Sequence, residues 1–177
     1  MRLRVLALKN PPIKLSTRFG DRDIPPQQMH METISIRRAV AGDASSIAQL
    51  SATLGYDAEP AVIAGRLRAM ADSNADLIIV ALDSSSDVVG WLQAHASHII
   101  ESGFRVEITG LIVFPGQRRH GVGRALVDEA ERWAKAVAAE AIVVRSNVQR
   151  VESHAFYPAL GYSATKTQNV YRKTLTK

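Results

Sequence analysis

The chain has 177 residues, contains no cysteine and carries a formal net charge of +5 at neutral pH. This length suits one domain with a buried core, and the lack of cysteine excludes disulfides, thiolate metal sites and a cysteine nucleophile. Residues 1–33 hold six Lys/Arg against three Asp/Glu, whereas residues 34–177 hold sixteen against fourteen. Because the larger part is nearly balanced and shows no basic cluster among aromatics, we expect no nucleic-acid partner.

The hydrophobic pattern argues against a membrane protein. No apolar run approaches the roughly 20 residues that cross a bilayer, and the opening MRLRVLALKNPP has too short an apolar patch for a secretory signal. Together with the absence of cysteine, which a reducing compartment permits, this predicts a cytoplasmic protein without a membrane partner.

The first 32 residues differ from the remainder. They include NPPIK and DIPPQQMHM and show no sustained period of 2 or 3.6 residues. Such a segment cannot bury a continuous apolar face, so we expect residues 1–32 to form a disordered N-terminal extension ahead of a domain over residues 33–177.

Regular patterning begins at Ile34. The stretch ISIRRA alternates as a strand, Asp43 is placed to cap a helix over ASSIAQLSATLG, and Pro60 can open a second helix. Three extended runs follow: DLIIVAL, VVGWLQAHASHII and FRVEITGLIVF. After them come a helix with Val122, Leu126 and other apolar residues on one side, the strand AIVVRS, a short helix in ESHAFYPALGY and a final strand in TQNVYRKTL. This order mixes hairpins with crossovers and predicts an α+β fold with a mixed sheet.

The fourth strand carries an irregularity. Val106 and Ile108 set one alternation, but after Gly110 the apolar residues run on without respecting it, which is typical of a β-bulge. A bulge here would splay the strand from its neighbour and free the backbone groups of residues 111–113 for a peptide-like ligand arm. The alternative is that Gly110 only allows close packing in a buried strand.

The stretch RRHGVGRALVDEA places cationic residues and two glycines at the start of a helix. A helix start presents unpaired N–H groups and a positive dipole end, which favour an anion and most often a phosphate. A P-loop would need Lys and then Ser/Thr where Arg124 and Ala125 stand, and a dinucleotide fold would need glycine in place of Leu126. Both alternatives are therefore disfavoured.

These residues resemble the GNAT superfamily of acetyl-CoA-dependent N-acetyltransferases. Its phosphate signature, Q/R-x-x-G-x-G/A, is matched by residues 118–123, and SHAFYPALGY is similar to the FYxxxGF segment of the family. The resemblance covers about residues 34–175. It implies a mostly antiparallel central sheet with a bulged, splayed fourth strand, helices on both faces, and acetyl-CoA as cosubstrate without a metal. The residues expected to bind the cosubstrate are Leu111, Ile112, Val113, Arg118, Arg119, His120, Gly121, Val122, Gly123, Arg124, Asn147 and Ser153.

The same resemblance suggests two catalytic residues. Glu107 on the bulged strand is expected to accept the amine proton, directly or through water, and Tyr157 to protonate the departing thiolate. An ion-paired glutamate, an ordinary half-buried tyrosine and a helix-capping Ser153 are the structural alternatives. Pro158 follows Tyr157 and is expected to distort its turn, because proline lacks an N–H and restricts the preceding residue.

The acceptor is the least determined part. We expect an N-acetyltransferase that transfers acetyl directly to a primary amine of a small molecule, and the alternatives are a protein N-terminal or lysine acetyltransferase and a non-catalytic acyl-CoA-binding regulatory domain. The acceptor site would be formed by LGYDAEP, where Asp57 and Glu59 could attract an amine, with Trp91, His95 and Tyr171. A homodimer is a further expectation.

Overall fold

A five-stranded sheet organises residues 34–175, the part of the chain that the computed structural model describes. In chain order, the strands and α-helices are β1 (Ser35–Arg38), α1 (Ala44–Ala52), α2 (Pro60–Met70), β2 (Asp76–Leu82), β3 (Val88–Ile99), β4 (Gly103–Val113), α3 (Val122–Ala136), β5 (Ala141–Val144) and α4 (Val151–Ala159). The spatial order is β1-β2-β3-β4-β5, antiparallel throughout except for the parallel pair β4 and β5. This arrangement confirms the predicted α+β class, while the predicted extension over residues 1–32 lies outside the described residues.

Helices cover both faces of the sheet, as predicted. Side chains alternate along a strand, so Leu77 and Ile79 of β2 join one core with Leu126 of α3. On the opposite face, Val80 packs in a second core with Ile47 of α1 and Leu67 of α2. The apolar sides predicted for these helices are the ones that the sheet buries.

The fourth strand is bulged and splayed, as predicted. Gln93 of β3 pairs with Gly110, but the next residue, Ala94, pairs with Ile108, so Thr109 is the extra residue of the bulge. On its other side β4 pairs with β5 only as far as Ile108, which faces Val144. Beyond that point, residues 109–113 have no strand partner on the β5 side within the described chain.

Asp43 stands at the boundary before α1, but its side chain does not cap the helix as expected. Its carboxylate instead accepts two hydrogen bonds of 2.7 Å from the Arg37 guanidinium and one of 2.8 Å from the Val40 amide. The Arg37 guanidinium lowers the pKa of this buried carboxyl below its usual range. The residue therefore fastens β1 to the start of α1.

The prediction of a final strand in TQNVYRKTL is wrong. Residues 163–175 contain no strand, and the side chains of Val170, Tyr171 and Leu175 are exposed. An alternating pattern forms a strand only against a partner edge, and none of residues 34–175 pairs with this segment. The alternation alone was therefore an insufficient signal.

Within residues 34–175, no helix has both the length and the apolar character that crossing a membrane requires.

Candidate active site

The opening between β4 and β5 exposes a row of backbone groups. The Phe114 amide donates to the Val89 carbonyl at 2.8 Å, which sets the alternation of the preceding residues. Ile112 therefore directs its amide toward β3, whereas Leu111 and Val113 direct theirs into the opening. Of the three backbone positions predicted to bind a ligand arm, the amides of Leu111 and Val113 are available, and that of Ile112 belongs to the sheet.

The start of α3 provides the second set of donors. Gly121 has φ +85°, a left-handed conformation that favours glycine, and its carbonyl accepts the first helical hydrogen bond from the Ala125 amide at 2.9 Å. The amides of residues 122–124 precede that bond and have no partner within the helix. Exposed basic side chains surround them: Arg118, Arg119, His120 and Arg124.

Three elements meet at Gly123. A Cβ atom at this position would lie 3.2 Å from Cζ of Phe156 in α4 and 3.7 Å from Cγ2 of Val113 in β4. Glycine thus lets α4 and the end of β4 approach the first turn of α3. Arg124 reinforces the contact by donating to the carbonyl of Ala159 at 3.4 Å. The motif glycine, the free edge of β4 and the Tyr157-bearing helix are therefore neighbours.

Tyr157 is half-buried between two aromatic rings. Its ring makes edge contacts with Phe156 and Tyr162, at centroid distances of 5.0 and 5.7 Å. Burial raises the pKa of the Tyr157 hydroxyl above its usual value, and the charge of Arg150 works in the opposite direction. The hydroxyl is therefore protonated at neutral pH. Pro158 lies in the last turn of α4, which continues through it to Ala159, so the helix does not end at Tyr157.

Glu107 lies on the sheet face opposite its neighbours Val106 and Ile108 and is paired with two arginines. Its carboxylate oxygens lie 3.5 Å from Nη2 of Arg105 and 3.2 Å from Nε of Arg145. Glu107 is therefore an ion-paired glutamate in this structure, which was the structural alternative considered from the sequence.

A cavity of about 340 Å³ opens between the sheet and the helices α1 and α2. Its floor contains Gly110 and Leu111, so it reaches the free edge of β4. Trp91 lies across the bulge: a Cβ on Gly110 would be only 2.7 Å from the Trp91 ring. The bulge glycine thus makes room for the indole that forms one wall, and both expected roles of Gly110, bulge and close packing, apply.

The model of the acetyltransferase (GNAT) family matches residues 47–162. The chain belongs to this family. It is a GNAT acetyltransferase, as the motif around Gly121 and the bulged strand predicted.

Individual relatives agree. The chain is 27% identical over 148 residues to an aminoglycoside N(6')-acetyltransferase type 1 of Stenotrophomonas maltophilia, which covers 80% of this chain and 94% of the relative. It is 32% identical over 79 residues to an aminoalkylphosphonate N-acetyltransferase of Salmonella typhimurium strain LT2, a match that covers 44% of this chain and 51% of the relative. Among solved structures, an aminoglycoside N-acetyltransferase in complex with CoA superposes with a TM-score of 0.72 at 18% identity, covering 81% and 97% of the two chains.

In this GNAT acetyltransferase, Asn147 and Ser153 stabilise the turn between β5 and α4. The Asn147 side chain accepts from the Gln149 amide at 3.0 Å. The Ser153 hydroxyl donates to the Arg150 carbonyl at 2.6 Å and lies 2.6 Å from the Ser146 hydroxyl. Both residues thus lie near the opening of the sheet, with their side chains engaged in local contacts.

The acceptor residues expected from the sequence are only partly brought together. Tyr56 of LGYDAEP and Trp91 line the cavity, whereas His95 does not and pairs with Asp76 at 2.9 Å. Tyr171 lies in the exposed C-terminal segment. Five polar wall residues were missed: Ser51, Arg66, Gln93, Thr109 and Arg150. The odd numbering that Gln93 shares with Trp91 on β3 was a usable signal for it, but the arginines come from separate elements.

No group of three or more His, Cys, Asp or Glu side chains that could hold a metal ion occurs among residues 34–175.

Proposed function

We propose that this GNAT acetyltransferase transfers the acetyl group of acetyl-CoA directly to a primary amine of a small molecule. The observation that carries the proposal is that the cavity under α1 and α2 reaches the free edge of β4 at Gly110 and Leu111. An amine in the cavity and an acyl donor along that edge would meet there. The relatives named for aminoglycosides and aminoalkylphosphonates support a small-molecule acceptor.

The residues present fit coenzyme A. Its pyrophosphate suits the unpaired amides of residues 122–124 and the basic side chains of Arg118, Arg119, His120 and Arg124. Its amide-containing arm suits the outward-facing backbone groups of Leu111 and Val113. When bound, acetyl-CoA supplies an acetyl group activated as a thioester. The side chains and amides named above would hold acetyl-CoA. The amides of Leu111 and Val113 would also donate hydrogen bonds to the thioester carbonyl oxygen as it gains negative charge.

Two side chains, Tyr157 and Glu107, would transfer protons. Tyr157 stays protonated at neutral pH and is the proposed donor to the leaving sulfur, since α4 lies beside the free edge of β4. Glu107 lies on the cavity side of β4 but is not part of the cavity wall. We therefore propose that Glu107 receives the amine proton through water rather than by direct contact.

Shape favours a small molecule over a protein. The acceptor cavity is walled by α1, α2 and the sheet, and its volume of about 340 Å³ is at the small end for ligand sites. A protein acetyltransferase would need an extended groove beside β4 instead. The position of α4, which carries Tyr157, beside the free edge of β4 favours catalysis over a silent acyl-CoA-binding domain. The homodimer and the cytoplasmic location stay predictions from the sequence.

The test is thiol release from acetyl-CoA against a panel of primary amines, run beside thermal unfolding with CoA and with NAD. We expect thiol release with at least one small amine, and a rise in melting temperature with CoA but not with NAD. A CoA-induced rise without release from any amine or peptide would favour the regulatory alternative. Absence of any effect of CoA would overturn the cosubstrate assignment.

A further inference from the structure

Among the residues that the structure describes, the wall of the acceptor cavity carries two positive charges and no negative one. Arg66 of α2 and Arg150, the residue before α4, both line it, and none of the described wall residues is Asp or Glu. Asp57 and Glu59 belong to the neighbouring loop, but they are exposed and do not line the cavity. The two acidic residues that the sequence offered for binding an amine are therefore outside the wall.

Neither guanidinium is neutralised by a carboxylate of the described residues. Within residues 34–175, no carboxylate lies within 4.0 Å of Arg66 or Arg150. Arg150 is instead positioned by Tyr56: its Nη2 lies 3.4 Å from the tyrosine hydroxyl, and its guanidinium lies 5.9 Å from the centre of the ring. A tyrosine orients a guanidinium without cancelling its charge. The charge remains available to a ligand.

The rest of the wall is mainly apolar, with Ile63, Leu67 and Trp91 opposite a few neutral polar groups. A guanidinium binds an oxyanion through charge-assisted hydrogen bonds, which are stronger than hydrogen bonds between neutral groups. A ligand with several ammonium groups would instead bring like charges together without a compensating carboxylate.

We propose that the acceptor is a primary amine that also carries an oxyanion group, a carboxylate or a phosphonate, and that Arg66 and Arg150 bind this anion. The inference rests on the proposed acetyltransferase function and specifies its substrate class. It separates this protein from the relatives named for aminoglycosides and agrees with the relative named for aminoalkylphosphonates.

The experiment compares four amines of similar length that differ in the group at the far end: 3-aminopropylphosphonate, 4-aminobutyrate, 1-aminobutane and 1,4-diaminobutane. The larger aminoglycoside kanamycin is a fifth probe, and each is measured by thiol release from acetyl-CoA. We expect kcat/KM for the better of the two anionic amines to exceed that for 1-aminobutane by at least about tenfold. The kcat/KM values for 1,4-diaminobutane and kanamycin should be lower than that for 1-aminobutane. The ranking of the phosphonate and the carboxylate identifies which anion the site takes.

Variants locate the selectivity. Arg66→Gln and Arg150→Gln are expected to raise KM for the preferred anionic amine by about tenfold or more, with a smaller change for 1-aminobutane. Arg66→Glu should move the preference toward 1,4-diaminobutane. Arg68→Gln is the matched control, because Arg68 is exposed on the same helix and does not line the cavity, so it should leave all rankings unchanged.

The outcomes separate the two proposals. Thiol release that is equal or faster with 1-aminobutane or kanamycin would overturn the anionic-acceptor inference and leave the acetyltransferase function standing. Retention of an anion preference in both glutamine variants would also overturn it. Absence of thiol release with every amine would overturn both proposals.

Discussion

The Glu107 carboxylate forms an ion pair with Arg145, at 3.2 Å between Oε1 and Nε, at the point where β4 and β5 separate. Arg145 directly follows Val144, whose pairing with Ile108 is the last between the two strands. The ion pair thus joins the strands at the apex of the opening in which we place the acyl donor. Glu107 could contribute to activity as a proton acceptor or by holding this apex, and the two contributions can be separated.

Glu107→Gln and Arg145→Gln break the same ion pair, but only the first removes the carboxylate. If Glu107 accepts the amine proton through water, Glu107→Gln should lower kcat about 10²- to 10⁴-fold, whereas Arg145→Gln should lower it less than about tenfold. The measurement is steady-state thiol release with the melting temperature of each variant. Equal losses of kcat in the two variants would assign Glu107 to holding the strands.

Tyr157→Phe removes the proposed proton donor and keeps the aromatic packing. We expect kcat to fall about 10²- to 10⁴-fold while the affinity for CoA is nearly kept. Because burial raises the pKa of Tyr157 above its ordinary value of 10.0, the hydroxyl remains protonated below that pH, and the wild-type rate should show no decline from this group between pH 7 and 10. Tyr162→Phe is the control, because the Tyr162 ring packs against Tyr157 and has no proposed role in proton transfer. A comparable loss in both variants would point to packing instead.

Gly110→Ala tests the contact between the bulge and the cavity wall. The added Cβ would lie 2.7 Å from the Trp91 ring, so the indole must tilt. We expect unfolding to become easier by about 1–3 kcal/mol and KM for the amine to rise, with little change in CoA binding. Gly65→Ala is the matched control: its Cβ meets no atom within 4 Å on the exposed side of α2, and helix propensity should add about 0.5–1 kcal/mol of stability. An unchanged amine KM in Gly110→Ala would contradict the role of Trp91 as a wall of the acceptor site.

Arg124→Gln tests the phosphate site at the start of α3. Loss of one exposed cation near the unpaired amides should raise the Kd for CoA by about 3- to 30-fold, measured by calorimetry. Arg132→Gln, on the same helix but two turns further on, should leave the Kd unchanged. Equal affinities for wild type and Arg124→Gln would remove Arg124 from the cosubstrate site.

Asp43→Asn tests the attachment of β1 to α1. The variant weakens the paired contact with Arg37, and we expect a loss of about 1–3 kcal/mol at pH 7, measured by urea unfolding. The pKa of Asp43 is lowered in the folded protein from 3.8, so its contribution is present above that value and is lost as the pH falls below it. The gap between wild type and variant should therefore shrink below about pH 4. A gap that is constant down to pH 2 would exclude the ion pair as its source.

Local patterns predicted much of this molecule from the sequence. The periodicity of α3 identified the buried Leu126, and the phase slip at Gly110 located the bulge to within one residue. Both features are encoded within a few neighbouring residues, where side-chain alternation follows directly from backbone geometry. The glycines of the α3 motif were interpretable for the same reason.

Contacts between distant segments were not predictable in this way. Arg66 and Arg150 are 84 positions apart, and no local pattern indicates that they share a cavity. The partner of Glu107, Arg145, is likewise placed by strand pairing. The side chain of Asp43 was assigned to a helix cap because its position allowed it, but a bidentate arginine six residues earlier competes successfully for the carboxylate. The alternating residues near Tyr171 led to the opposite error, because the pattern predicted a strand where no described strand pairs with the segment.

The position of Trp91 against Gly110 makes the acceptor cavity observable by light. The sequence has only two tryptophans, and the other, Trp133, packs in the core on the α3 side of the sheet. In a Trp133→Phe background, the tryptophan emission would come from Trp91 in the cavity wall alone. Entry of an amine could then be followed in real time by stopped-flow fluorescence, separately from acetyl transfer.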